Sequence, residues 1–371
     1  MPRPALTERV GLGVYAFFNL GFPGSEKYSC YTSRQKITNR DGMRKGKTVK
    51  YRKFGKTDLL VSEIGHGLWG MGGWSGSDDK ESLDTLQKSL EKGCNFFDSA
   101  WAYGEGHSDQ LLGKLIKNNP TAIVIAASKI PPKNNIWPAT SRDSLKDVFP
   151  RQHVIDYTEK ILEGIGMDCL DVLQFHVWDD SWADEDEWKQ TITDLKAKKL
   201  IRYFGLSINR WEPWNGLKAI QSGLIDAVQV IYNIFDQAPE DQLFPLCEQI
   251  GVGVIARVPL DEGGLSGKLT DETRFPETDW RARYFGPENL HSTVVRANAL
   301  MGLLPENMSL PEMALRFVLS NRTVSTTIIG MRTLDHLQED VGVSDGMCLP
   351  EELISRLRAH RWDRKIAPWS D

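Results

Sequence analysis

The 371-residue sequence predicts a closed (β/α)8 barrel, preceded by a β-hairpin and carrying a long loop after the seventh barrel strand. Three observations lead there. From residue 61 onward, short apolar runs alternate with amphipathic segments, and strands joined by crossover helices must run parallel with helices over their apolar faces. Eight such units in roughly 320 residues fit a barrel better than an open sheet. An open doubly wound sheet would usually show G-x-G-x-x-G after its first strand, and "GHGLWGMGG" lacks that spacing. Periodicity by itself leaves the open sheet standing. Finally, a polar or reactive residue sits at the end of nearly every apolar run, where a barrel gathers its functional side chains.

Residues 1–47 read as a leader and residues 48–371 as the barrel. The first 50 residues carry ten Lys or Arg against three acidic residues, with the apolar stretch "VGLGVYAFFNLGF" behind Arg3 and Arg9. A basic start before an apolar core is the pattern of a presequence, but no small-residue cleavage pattern follows. A disordered leader, or sequence upstream of a domain start near Met43, accounts for it as well.

"YRKFGKTDLLVS" (51–62) predicts a hairpin turning at Gly55-Lys56, placed to plug the bottom of the barrel. The barrel strands follow at 62–70, 95–98, 122–128, 171–176, 201–207, 226–233, 251–257 and 325–330. Between them Leu83, Leu86 and Leu90, then Tyr157, Ile161 and Ile165, then Trp188, Ile192 and Leu195 recur at helical spacing and make single buried stripes. Lys196, Lys198 and Lys199 close the last of these segments, where cations suit the negative end of the helix dipole. Residues 266–292 form a long polar insertion, and loops of that length are functional covers or disordered.

Composition narrows the function. With 40% hydrophobic and 26% charged residues the chain can build a sizeable core, and a net charge of −5 offers no basic field for nucleic acid. Cys30, Cys94, Cys169, Cys247 and Cys348 are odd in number, far apart and without a C-x-x-C pair, which points to a reducing, cytoplasmic setting and away from zinc or a disulfide framework. No apolar run reaches the roughly 18 to 20 residues that span a bilayer, so no membrane partner is expected.

The strand-end residues are Asp98, Lys129, His176, Ser207, Gln229, Arg257 and Gly330. Each alone has an ordinary explanation, as a cap, a solvated lysine or a satisfied histidine. Together, at equivalent positions, they point to one site. A free tyrosine titrates near 10, too high for efficient proton donation and recovery around neutrality. A lysine ammonium within reach favours the phenolate, and a carboxylate holds that lysine charged in a dry pocket. Asp98, Lys129 and Tyr103 can form such a chain, with His176 donating to an oxygen on which charge develops. The set suits protonation of a carbonyl oxygen, and it contains neither metal-ligand spacing nor a nucleophile beside a base.

Several motifs in order resemble the aldo-keto reductase family: "YRKFGKTDLLVSEIGHGLWGMGG", "FFDSAWAYGEGHSDQLLGKLI" and "IIGMRTLDHLQEDV". The resemblance runs from about residue 51 to about residue 360, and the long seventh loop is similar to the branch that includes bacterial general-stress and inositol-locus reductases. It implies a catalytic tetrad of Asp98, Tyr103, Lys129 and His176. It further implies NADP(H) stretched across the barrel mouth and hydride transfer to a small-molecule aldehyde or ketone, with Tyr103 supplying the proton. By the same resemblance, Ser207, Asn209 and Gln229 would hold the nicotinamide carboxamide, although here Ile208 separates a serine and an asparagine that the family usually writes as neighbours. Leu260, Gly263, Leu265 and Lys268 belong to the loop that folds over the pyrophosphate; Gly330, Met331 and Arg332 open the last helix, where free backbone N–H groups favour a phosphate, and Arg332 would take the 2′-phosphate. Arg257 stands where many members stack a tyrosine on the nicotinamide, and brings a positive charge there. His336, Glu339 and Asp340 would face the adenine, where a carboxylate at 340 replaces the usual amide and cannot donate as an amide does.

Trp69, Trp101 and Trp178 each lie near a strand end and are read either as an aromatic substrate pocket or as core. "WDDSWADEDEW" (178–188) reads as a solvated helix start, and would disfavour anionic substrates if it borders the mouth. Two other functional classes stand beside the reductase: a cofactor-sensing regulatory subunit, since the family includes barrels that associate with potassium channels, and a barrel of unrelated chemistry that binds no nicotinamide.

Overall fold

In the computed structural model, residues 49–73 and 76–365 are described, so the expected leader lies outside the described residues. The hairpin forms first. Strands β1 (Tyr51–Lys53) and β2 (Leu60–Ser62) pair antiparallel, with Arg52 opposite Val61. Its turn requires Gly55, which sits at φ +55°, and a Cβ there would meet the Gly251 carbonyl oxygen at 2.4 Å. Lys56 N donates to that same oxygen at 2.6 Å, tying the hairpin to the end of a barrel helix.

Eight parallel strands follow: β3 (Ile64–Gly67), β4 (Phe96–Asp98), β5 (Ile125–Ile130), β6 (Leu170–Phe175), β7 (Ile201–Ser207), β8 (Ala227–Ile231), β9 (Gly253–Arg257) and β10 (Val324–Ile329). Each pairs with the next, and β10 closes on β3 with Thr327 opposite Ile64. Helices lie between them as the apolar spacing requires. The helix Asp79–Lys92 is capped by Asp78, whose carboxylate accepts from Glu81 N at 2.8 Å, and ends at Gly93 with φ 106°. Leu86 of its stripe is fully buried, as are Trp188, Ile192 and Leu195 of the helix Asp186–Ala197.

Two cores result. The inner one fills the barrel with Phe96, Ile125, Ala127, Val172, Ala227, Ile255 and Ile328, closed from below by Phe54, Leu59 and Val61 of the hairpin. Phe54 lies 5.7 Å from Phe96 between ring centroids, and a Cβ on Gly253 would come within 2.9 Å of its ring, so the expected plug is in place. The outer core lies between strands and helices.

The insertion after β9 differs from its polar reading. Its sequence hides Tyr284 and Phe285, which pack with Trp211, Leu290 and Val294 into a separate apolar cluster. That burial anchors a segment whose composition points only to a cover or to disorder. The chain end is tied in as well: Arg364, its side chain 2% exposed, pairs with Asp236 and with Asp261 at 2.7 Å, while Tyr284 Oη donates to Asp261 at 3.1 Å. Among the described residues no helix is long and apolar enough to cross a membrane.

Candidate active site

The site follows from strand parity. Successive strand residues face opposite sides, so residues two beyond an inward-facing one face inward again. Phe96, Ile125 and Ala127, Val172, Ala227 and Ile255 all lie in the inner core. Two further along each strand come Asp98, Lys129, Gln174, Gln229 and Arg257, and Tyr203 on β7 leads by two such steps, through Gly205, to Ser207. The apolar floor thus ends in a polar layer at the C-terminal mouth.

Lys129 is its centre. The side chain is 0% exposed, and Nζ donates to Asp98 Oδ2 at 2.6 Å and to the Ser99 carbonyl oxygen at 2.7 Å. A third, longer contact runs from Nζ to Tyr103 Oη at 3.4 Å. The other carboxylate oxygen of Asp98 accepts from Gln229 Nε2 at 2.8 Å and Gln174 Nε2 at 3.3 Å. A buried carboxylate is tolerated only with such partners, and here every direction is met by a donor. Gln174 was missed by the sequence reading. Its signal was present, as the one amide of β6, at an inward position beyond Val172.

Tyr103 sits on a tight turn after β4, in which Gly104 has φ 70° and a Cβ would fall 2.1 Å from the Gly72 carbonyl oxygen. Glycine at this position lets the turn press against the loop after β3, which aims the preceding tyrosine at Lys129. The ring of His176 lies 5.6 Å from that of Tyr103, nearly perpendicular, and Trp137 packs edge-on against His176 at 4.7 Å. His176 Nδ1 is buried with no partner among the described residues.

Burial sets the protonation states. It lowers the His176 imidazole well below its ordinary range, and repulsion from Lys129 and Arg257 adds to this, so the ring is neutral. Burial raises the Tyr103 phenol, and Lys129 opposes the rise without cancelling it. The expected depression of the tyrosine is therefore corrected: in a pocket this dry, desolvation of the phenolate exceeds the pull of an ammonium that Asp98 has already largely neutralised. Burial alone would lower the Lys129 ammonium, but Asp98 and then Tyr103 outweigh that and hold it charged.

The residues expected around a dinucleotide divide. Ser207 is buried at the end of β7 and Gln229 in the middle of β8. Arg257 is inward at the end of β9, where Nη2 donates to the Ile208 carbonyl oxygen at 3.1 Å. Gly263, at φ 107°, and Gly330 each have open space where a side chain would project. Lys268 is exposed and Leu260 is half-buried against the core. Arg332 lays its stem over Gly70, where a Cβ would come within 2.8 Å of its Cδ. Thr333 caps the helix Leu334–Gly342 by accepting from His336 N, and His336 and Glu339 are exposed on its first turns. Asp340 is buried, which pushes its carboxyl up to about 7 with Glu339 adding to the rise, so near neutrality a part of it is protonated and can donate.

Four of the expected residues are engaged within the protein itself. Asn209 faces no open site: Nδ2 donates to the Ala139 carbonyl oxygen at 2.9 Å and to Glu212 at 3.0 Å, and Oδ1 accepts from Trp178 N. The intervening Ile208 shifts it one place along the chain and into that loop network. Leu265 is fully buried with its N–H bonded to the Leu260 carbonyl oxygen, so it supports its loop from beneath. Trp178 is 0% exposed and meets Trp182 and Trp188 edge-on at 5.6 and 5.4 Å, in a cluster where large rings bury more apolar area than a pocket wall allows. Trp101 turns to Tyr157, 5.5 Å away, and lies under Gly106. Of the three expected tryptophans only Trp69 is exposed, and it meets Trp280 of the insertion at 6.1 Å. The acidic segment is structural at its start, where Asp180 accepts from Trp178 Nε1 at 2.8 Å and Lys218 N at 2.8 Å.

Comparison with known proteins agrees with this geometry. The chain is 26% identical to the uncharacterized oxidoreductase YqkF of Bacillus subtilis (strain 168), over 84% of this chain and 96% of that protein. It is 24% identical to the NADH-specific methylglyoxal reductase of Escherichia coli (strain K12), over 79% of this chain and 93% of that one. Its fold matches the glycerol dehydrogenase AKR11B4 from Gluconobacter oxydans with a TM-score of 0.70 at 24% identity, covering 86% of this chain and 98% of that one. The model of the aldo/keto reductase family matches residues 63–361, most of the chain, and the chain belongs to that family of oxidoreductases.

Proposed function

We propose that this protein reduces the carbonyl group of a small aldehyde or ketone to an alcohol, with NADP(H) as cofactor and Tyr103 as proton donor. The observation that carries the reading is the buried chain Asp98–Lys129–Tyr103 at the barrel mouth, with neutral His176 beside the phenol. The cofactor, when bound, supplies the hydride to the carbonyl carbon. Tyr103, protonated because burial raises it, gives its proton to the carbonyl oxygen, and Lys129 stabilises the phenolate left behind. Asp98 keeps Lys129 charged and in place. His176, neutral, donates from a ring N–H to the oxygen as negative charge gathers there.

The residues present fit a dinucleotide. Buried nitrogens of His176, Arg257 and Arg210 have no partner among the described residues, and the loops at Gly263 and Gly330 leave open space. Ser207 and Gln229 would hold the carboxamide, and Leu260, Gly263 and Lys268 the pyrophosphate. Arg332, at the helix start opened by Gly330, would hold the 2′-phosphate, and His336, Glu339 and protonated Asp340 the adenine. Arg332 favours NADP(H) over NAD(H), in contrast to the relative named NADH-specific, because a guanidinium binds a phosphate by charge-assisted hydrogen bonds.

The test is a panel of aldehydes, ketones and sugars followed by absorbance with NADPH and, in parallel, NADH. Turnover with kcat/KM at least about tenfold higher for NADPH is expected, the scale of one charged hydrogen bond. A higher value with NADH would sink the Arg332 assignment. Tight NADPH binding without turnover of any carbonyl would favour the cofactor-sensing subunit instead.

A further inference from the structure

The titratable groups that act most strongly on Arg257 are Arg210, Glu262, Tyr103 and Asp98. Two of these carry carboxylates, and both are already engaged. Asp98 is bound to Lys129 at 2.6 Å, and Glu262 to Arg210 at 3.1 Å. Arg257 pairs with no carboxylate among the described residues. Among the described residues its side chain donates to the Ile208 carbonyl oxygen at 3.1 Å, and its buried Nε has no partner. Among the described residues that act most strongly here, three cations, Lys129, Arg210 and Arg257, thus face two carboxylates, and the one left without an ion pair is a strand-end residue facing inward. Burial and then repulsion from Arg210 already push the guanidinium down to about 10.

We propose that Arg257 makes this site select the reduced cofactor over the oxidised one. The inference rests on the reading of the mouth as a nicotinamide site. The two redox forms share their phosphates, ribose and adenine, and differ in the ring alone, which is neutral when reduced and carries one positive charge when oxidised. A mouth with an uncompensated guanidinium repels the second form and not the first. Oxidised cofactor then leaves more readily after a reductive turnover, and a weaker driving force for hydride transfer on the protein goes with it. An aromatic residue at the same position would cover the ring without this discrimination.

The test is equilibrium titration of the purified full chain with NADPH and NADP+ separately, followed by tryptophan fluorescence or calorimetry, on the wild type, Arg257→Lys and Arg257→Gln. The ratio Kd(NADP+)/Kd(NADPH) is expected at about tenfold or more in the wild type, equivalent to about 1.4 kcal/mol and within the ~1 to ~4 kcal/mol that two unit charges about 4 Å apart exert between water and a protein surface. Arg257→Lys, which keeps the charge, should keep most of the ratio, and Arg257→Gln should bring it toward one. A ratio near one in the wild type overturns the proposal without any variant, and so does a ratio unchanged in Arg257→Gln. If the wild type binds neither form, the nicotinamide reading itself fails, which is a different result from equal binding of both.

Discussion

Replacing Lys129 by Met separates what the buried ion pair does for the fold from what it does for the chemistry. Lys129 and Asp98 are 0% and 1% exposed and bonded at 2.6 Å, so Lys129→Met leaves a carboxylate in the core with only the amides of Gln174 and Gln229 as donors. Breaking one side of a buried pair costs about 3–5 kcal/mol. At roughly 2 °C per kcal/mol for a chain of this size, the melting temperature should fall by ~6–10 °C. The double variant Asp98→Asn/Lys129→Met removes both charges, and neutral replacement of a buried pair is close to neutral for stability, so most of the loss should be recovered. Activity should not recover: without the ammonium nothing stabilises the Tyr103 phenolate, and both proteins should lose about 10²–10⁴ in kcat, the scale of general acid catalysis. Thermal melts and carbonyl-reduction rates on the three proteins decide it. A double variant as unstable as the single one would refute the ion-pair reasoning. A single variant turning over within a factor of a few of wild type would refute the catalytic role.

The chain end offers a second case. Arg364→Leu leaves Asp236 and Asp261 facing each other in the core and should cost about 3–5 kcal/mol at pH 8. Burial already lifts Asp261 to about 6, so at pH 5 it takes up a proton and the loss should shrink; equal losses in melts at pH 5 and 8 would contradict this. Burial also lowers His66 from 6.5 to about 3, so its contribution to stability is present above pH 6.5 and is lost as the pH falls toward 3. The stability advantage of wild type over His66→Gln should narrow by about 2 kcal/mol between pH 7.5 and pH 5, the 1.5 units below the unfolded value at ~1.4 kcal/mol each, and chemical unfolding at the two pH values would reveal a constant difference if that is wrong.

Where side-chain period and a sharp boundary coincide, the sequence was readable. The run 201–207 is the strand β7, and the inward count that ends on Asp98, Lys129 and Gln229 needs no coordinates. The run 122–128 was displaced, because pairing with β4 starts only at Ile125 and pairing with β6 carries the strand to Ile130. Lys129 is thus inside a strand, and that is why it is held so firmly. Tryptophans were illegible for a physical reason: Trp69 and Trp178 both follow strands, and what sends one to the surface and the other to the core is the presence of Trp182 and Trp188, residues whose approach depends on the fold. Asn209, set one place further along by Ile208, spends its amide on the Ala139 carbonyl oxygen and Glu212, partners that only the folded loop brings within reach.

The most direct test of the central claim, that Tyr103 protonates a carbonyl in a nicotinamide-binding barrel, is one pair of measurements on Tyr103→Phe: NADPH affinity by titration and carbonyl reduction by absorbance. The account predicts cofactor affinity within about twofold of wild type and a kcat lower by at least about 10². Turnover preserved with phenylalanine at position 103 would contradict it.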